Sequence, residues 1–274
     1  MGALAEYQKS IGLNPNDSIT YNSRGFLKNS QGDYVGALAD LDKAITLDPL
    51  YAFAYNSRGN TKSNLGDLDG AMADYNHAIM LDPLYAMPFY NRGGLKYRQG
   101  DYAGALVEYE RSIILDPQFE PAFINRGIVK RRLGNYSEAI LDFDHAITLS
   151  SKPYLAYGNR GMTKNFMGDI DGAIADMEKA LVIDPNDPNG FRSRVAAIYR
   201  ARSDARLQEN DKAGSALDLQ RADELERPAP ATAPEPPPII APQRAPQAPR
   251  PANNQAYSPA AGGSSTGRVG RLLT

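Results

Sequence analysis

The sequence predicts an all-α fold, a solenoid of stacked helix pairs followed by a disordered tail, and three observations predict it. Gly25, Gly59, Gly93, Gly127 and Gly161 recur every 34 residues, and a second series, Gly32, Gly66, Gly100, Gly134 and Gly168, keeps the same interval. Within each interval, apolar residues fall three and four positions apart on both sides of the second glycine, the spacing of a helix face. From Arg227 onward the composition turns to proline and alanine, which cannot build a packed core. Self-similarity at such a period marks an architecture in which each unit buries its apolar face against the next.

Residues 1–17 read as half a unit. Ala3, Tyr7, Ser10, Leu13 and Pro15 stand in register with Ala37, Leu41, Ala44, Leu47 and Pro49, a second helix without its first. Two explanations stay open: the chain is a fragment of a longer protein, or this helix leaves an apolar face for another chain.

Five complete units follow, at 18–51, 52–85, 86–119, 120–153 and 154–187. In the first, SITYNSRGFLKNSQ forms a helix that ends at Gly32, since glycine accepts the positive φ of a helix C-terminus. Asp33 then caps a second helix, and Asp67, Asp101, Asn135 and Asp169 repeat that choice. Tyr34, Ala37, Leu38, Leu41, Ala44 and Ile45 give the second helix one apolar face. Asp48-Pro49 ends it, because proline cannot continue a helix. In the fourth unit Ser150-Ser151 stands in place of Asp-Pro, which predicts a different helix–helix angle there.

A glycine inside a helix costs about 1 kcal/mol relative to alanine. Its repeated use at Gly25 and its equivalents predicts close approach of the two helices, with Tyr34 or Leu41 filling the notch. Residues 188–226 read as a degenerate capping pair. Its first helix is lengthened to about Gln208, with Val195 in the glycine position and Arg192, Arg194, Arg200, Arg202 and Arg206 making it polar. Ala213–Leu225 forms the second helix. Residues 227–274 hold 11 of the 20 prolines and read as a disordered, Pro/Ala-rich spacer with polyproline II character, or as a ligand for proline-binding grooves.

The pattern Gly-x6-Gly-Asp-Tyr-x2-Ala on this period resembles the tetratricopeptide repeat (TPR). The repeat signature maps onto Tyr21, Gly25, Gly32, Tyr34, Ala37, Leu41, Ala44 and Pro49, and the resemblance covers residues 1 to about 226. The tryptophan usual in that family is replaced by Tyr21, Tyr55, Phe89, Phe123 and Tyr157, and a common tyrosine by Lys28, Lys62, Lys96, Lys130 and Lys164. The resemblance implies a right-handed superhelix whose first helices line a concave groove, and a protein–protein interaction role without catalysis.

Composition narrows the function. There are no cysteines, so disulfides and thiolate chemistry are excluded. Residues 227–274 carry five Arg and one Glu, +4, which leaves −6 on residues 1–226, a poor match for nucleic acid. No apolar run has the length of a membrane span. His77 and His145 occupy the polar side of second helices two units apart and read as surface residues, and no cofactor or metal site is expected. Arg24, Arg58, Arg92, Arg126 and Arg160 match an acid in each unit, Asp40, Asp74, Glu108, Asp142 and Asp176, and read as a structural ladder. The lysines of the Lys28 series are expected to lay their stems on apolar surface with the charge in water.

A second stripe on the first helices varies from unit to unit and is the expected partner surface. Early units place Asn22, Asn56 and Asn60 there; middle units place Tyr90, Asn91, Tyr97, Arg98, Asn125, Arg131 and Arg132; the fifth places Asn159, Asn165 and Phe166. Amides both donate and accept, so they suit an extended peptide backbone. Aromatics and arginine suit anchoring roles. The expected activity is a scaffold that holds a protein or peptide in the groove. The alternatives are a substrate-recruiting arm of a larger enzyme, self-assembly of the chain as a homo-oligomer through the N-terminal half unit, and an RNA-reading helical array. The compartment is left open, with the cytoplasm favoured slightly by the absence of a signal peptide from the recorded chain.

Overall fold

Apolar faces of three-and-four spacing, capped by aspartate and broken by proline, fold into helices throughout. The computed structural model describes residues 2–187 and 189–227, and thirteen helices lie among them. The expected disordered tail, beyond Arg227, lies outside the described residues. Helix α1 (Ala3–Leu13) is the half unit. The complete units pair α2 (Ser18–Ser30) with α3 (Tyr34–Leu47), α4 (Ala52–Leu65) with α5 (Leu68–Leu81), α6 (Ala86–Arg98) with α7 (Tyr102–Leu115), α8 (Glu120–Arg132) with α9 (Tyr136–Leu149), and α10 (Tyr154–Phe166) with α11 (Ile170–Ile183). The last pair is α12 (Phe191–Gln208) and α13 (Lys212–Glu226). The chain is therefore an all-α solenoid. Helix α10 begins in register with α4, α6 and α8, so the loss of Asp-Pro before it does not shift the repeat. Among the described residues, no helix is long and apolar enough to cross a membrane.

Glycine acts at two kinds of position. Gly134 ends the unit-four first helix at φ +82°, the left-handed conformation that side chains resist. Gly127 lies inside α8, where a Cβ would meet Phe143 Cε1 at 2.8 Å. Leu41, Tyr75, Tyr109 and Met177 approach the equivalent glycines as closely. Of the two candidates for filling the notch in the first unit, the structure selects Leu41. These side chains are fully buried and form the centre of each hairpin.

The aspartate caps carry a requirement of their own. Asp33, Asp67, Asp101 and Asp169 accept from the backbone N–H of Gly36, Gly70, Gly104 and Gly172. The capping carboxylate lies 2.0 to 2.2 Å from where a Cβ would stand on each of those glycines. Unit four has Glu138 at that place, and Asn135 makes no side-chain cap, contrary to the sequence expectation.

The last unit also differs from its sequence reading. Val195 does not replace the notch glycine. Arg202 pairs with Asp218 across 16 residues, as Arg24 pairs with Asp40, so the register resumes after an insertion and Ser203 holds the glycine position. The Ser203 hydroxyl spans the tight approach by hydrogen bonding to Ser215, 2.8 Å from its Oγ. The lengthened part of α12 packs Phe191, Val195, Ile198 and Tyr199 into the core beside α10 and α11.

Candidate functional site

The side chains that link the units come first, because they decide what is left for a partner. Each arginine of the Arg24 series lies over the aromatic residue three positions earlier, 5.2 to 5.6 Å from the ring centroid. It reaches forward to the acid of its own hairpin: Arg58 Nε donates to Asp74 at 2.9 Å and Nη2 at 2.7 Å. Most also reach back to the preceding unit, as Arg58 Nη1 does to Asp42 at 2.8 Å. One guanidinium thus joins three helices, and the ladder is structural.

The lysines correct the sequence expectation. Lys28, Lys62, Lys96, Lys130 and Lys164 do not send their charge to water but bind the same carboxylates, Lys28 Nζ lying 2.8 Å from Asp40 Oδ2. A buried carboxylate needs more than one donor to offset its lost hydration, and the second cation supplies it. Burial alone would raise the Asp40 carboxyl, but the hydrogen bonds and charges of Arg24 and Lys28 outweigh it and hold it below the usual carboxylate range. A carboxyl depressed in the folded state contributes stability above its unfolded pKa, about 3.9, and loses it as pH falls through the folded value. Asp40→Asn is expected to flatten the acid limb of stability measured by urea unfolding between about pH 4 and pH 2. An unchanged limb would count against the pairing.

His77 and His145 lie against aromatic rings, at 4.2 Å from Tyr55 and 4.3 Å from Phe123.

The first helices form the inner layer. Helices α2, α4, α6, α8 and α10 pack each on the next, far more closely than the second helices do, which places them on the inside of the curve. A cavity of 340 Å³ opens on this side. Asn29 of α2, Asn60 of α4, Asn91 and Arg98 of α6, and Asn125 of α8 line it. Tyr75, a core residue of α5, brings its hydroxyl to the same cavity and donates to Asn60 Oδ1 at 2.7 Å. Burial raises the Tyr75 and Tyr90 phenols above their ordinary value, so both stay protonated at neutral pH.

Of the residues expected on the partner surface, Asn60, Tyr90, Asn91, Arg98 and Asn125 meet at this cavity. Asn22, Asn56 and Asn159 do not reach the open surface. They are 7, 4 and 6% exposed. For Asn56 the reason is pairing between units, whereas Asn159 Nδ2 donates to the Leu155 carbonyl one turn back in its own helix at 2.9 Å. Asn91 donates to Asn56 Oδ1 at 2.9 Å, Asn125 to the Tyr90 hydroxyl at 3.0 Å and Asn64 to Asn29 Oδ1 at 3.0 Å, each across 35 residues. Many of the amides hold neighbouring first helices together, and only their remaining lone pairs and N–H groups face the groove. Tyr97 packs at 5.4 Å on Tyr102, and Phe166 stacks on Tyr136 at 6.0 Å. Arg131 is half-buried with Nη1 donating to the Asn159 carbonyl at 3.3 Å, whereas Arg132 is exposed. Asn165 is half-buried at the end of α10.

Sequence reasoning missed Ser63, Tyr75 and Arg194. Tyr75 carries a core signal, and its hydroxyl reaches the cavity. Arg194 is hidden by the register shift in α12.

The helix hairpins, their glycine notches and the inner groove define a repeat of the helical-solenoid class. A tetratricopeptide-repeat family model matches residues 54–83, 120–153 and 154–187. The chain carries tetratricopeptide repeats over those residues. Proteins of this kind are generally non-catalytic scaffolds that bind protein or peptide partners. Among solved structures, it is similar to a chain of the APC/C hetero-tetramer Cut9–Hcn1, with TM-score 0.64, 19% identity and 80% of this chain covered. The match spans 42% of the length of that protein. PilF of Pseudomonas aeruginosa is similar over 82% of this chain and 94% of its own, with TM-score 0.61 and 17% identity. YrrB, described as a TPR protein with an unusual peptide-binding site, is 25% identical over 68% of this chain and 95% of its own, with TM-score 0.50. No curated protein matches the sequence.

Proposed function

We propose that this chain is a non-catalytic adaptor that holds an extended segment of a partner protein along its inner groove. The observation that carries this reading is the 340 Å³ polar cavity, contributed to by four consecutive first helices. Its lining offers amides and hydroxyls, which match a peptide backbone, beside Arg98 as a charged anchor. The cavity is formed before any partner arrives, because the asparagine and tyrosine bonds between units hold the first helices in place. Pre-organisation of this kind lowers the ordering cost of binding. The peptide-binding description of YrrB supports the same use of the fold.

Replacing Tyr97, Arg98, Arg131 and Arg132 together by alanine is expected to reduce recovery of partner proteins by about tenfold or more in a pull-down from the native organism. Helicity by circular dichroism should persist. Equal recovery of the same proteins by the wild type and this variant would reject the groove.

A further inference from the structure

The net charge of the array conceals a separation of charge between its two layers. Helices α2, α4, α6, α8 and α10 contain 13 Lys and Arg and one acid, Glu120. Their partners α3, α5, α7, α9 and α11 contain 12 acids and three bases. Ten of the inner cations are the ladder arginines and lysines, each bound to a carboxylate. The remainder are Arg98, Arg131 and Arg132, and α12 adds Arg194 further along. Among the described residues none of these four has a carboxylate within ion-pair distance.

One of them lines the cavity, and two more converge on α10 further along the inner layer. Arg98 lines the cavity and rests on the Ser63 hydroxyl at 3.0 Å. Arg131 leans on the Asn159 carbonyl of α10 from one side, and Arg194 reaches Met162 Sδ of the same helix from the other, at 2.8 Å. Burial pushes Arg131 down from its ordinary value, and the nearby charges of Arg194 and Arg132 add to the effect. Like charges held together without an acid are unfavourable, and a bound anion relieves that cost.

We propose that Arg98, Arg131 and Arg194 form a track that selects an extended partner segment by its Asp and Glu side chains. This rests on the groove reading above and supplies its specificity. One terminal carboxylate cannot serve helices α6, α8 and α12 at once, so the acids belong to successive side chains. Packed helices lie about 8–10 Å apart. An extended chain advances about 3.3 Å per residue. Arg98 leans back on α4, whereas Arg131 and Arg194 both reach α10, so the acids facing Arg131 and Arg194 fall about three residues apart and the acid facing Arg98 about six residues away. A single-stranded nucleic acid needs open ring faces for its bases. Beside Arg98 and Arg131, Tyr90 is boxed by Tyr109 and Phe119 and Tyr97 packs on Tyr102, which leaves Phe166, 64% exposed and stacked on Tyr136 by one face, as a single open ring rather than a run of them. The chain's own residues 227–274, at +4, have the wrong sign for this track.

The test is fluorescence anisotropy of the full chain with an N-acetylated, C-amidated peptide of about twelve residues carrying Glu at those spacings, against the same peptide with Gln. The Glu peptide is expected to bind at least about tenfold more tightly, and to weaken as salt is added. Arg98→Gln, Arg131→Gln and Arg194→Gln should each weaken it about fivefold without changing the Gln peptide. Lys43→Gln, exposed on α3, should change neither. Three results overturn the track: equal affinity for the two peptides, no binding of either, or an oligonucleotide that displaces the Glu peptide at lower concentration. Equal affinity would leave the groove standing and remove only its charge selectivity. Loss of the groove itself is read separately, from the alanine variant in the pull-down.

Discussion

Gly127→Leu is expected to destabilise the array by about 3 kcal/mol. The alanine variant isolates the cause. Its Cβ alone would lie 2.8 Å from Phe143 Cε1, 2.9 Å from Cζ and 3.2 Å from the Ala139 carbonyl oxygen. Phe143 is fully buried among Ala139, Ala146 and Phe123, so its ring has nowhere to turn. Helices α8 and α9 must separate instead. Alanine gains about 1 kcal/mol of helix propensity over glycine, which offsets part of the clash. Leucine adds three carbons to the clash with little further propensity gain. Gly12→Ala is the control: Gly12 lies in α1, and a Cβ there meets nothing within 4 Å. It should be neutral or stabilising by up to about 1 kcal/mol. Urea unfolding followed by circular dichroism reads all three variants. If Gly127→Leu unfolds at the wild-type midpoint, close approach is not what the glycine provides.

The second large effect is expected at Asp142. Its carboxylate is 3% exposed and accepts from Arg126 Nε at 3.0 Å and Nη2 at 2.6 Å, with Lys130 Nζ 3.0 Å away. Removing it strands Arg126 in the middle of the array and leaves Lys130 with the exposed Glu138 alone, 3.5 Å away. Loss of one member of a buried pair costs about 3–5 kcal/mol. The arginine and lysine keep 19 and 15% of their side-chain surface in water, so the lower end applies. Asp142→Ala should therefore destabilise by about 3 kcal/mol. Replacing Arg126, Lys130 and Asp142 together by methionine, methionine and leucine should recover most of the loss, since well-packed apolar groups stand in for a buried ion network. A triple variant as unstable as the single one would mean that the ladder does more than neutralise its own charges. Because each unit touches only its neighbours, a fault in unit four also uncouples the units on either side.

Local chemistry alone carries much of this molecule. The 34-residue period, the two helices per unit, the positive-φ glycine at their turn and the pairing of Arg24 with Asp40 follow from residues close in sequence or one hairpin apart. Helix periodicity and steric limits act over such distances, so they can be read from one unit and repeated. The inner stripe was legible in outline, since Asn60, Tyr90, Asn91, Arg98 and Asn125 do meet at one cavity.

Only the tertiary structure decided the rest. Asn56 and Asn91 lie 35 residues apart, and nothing in either unit says that one amide satisfies the other until the first helices are laid side by side. Lys28 and its equivalents turn inward because a buried carboxylate is waiting there. Ser203 takes the glycine's place because the long helix α12 slides its register until Arg202 finds Asp218. Net charge summed along the chain could not show that the bases gather on one layer and the acids on the other. Which cations are neutralised depends on distances between units, and those exist only once the hairpins are stacked.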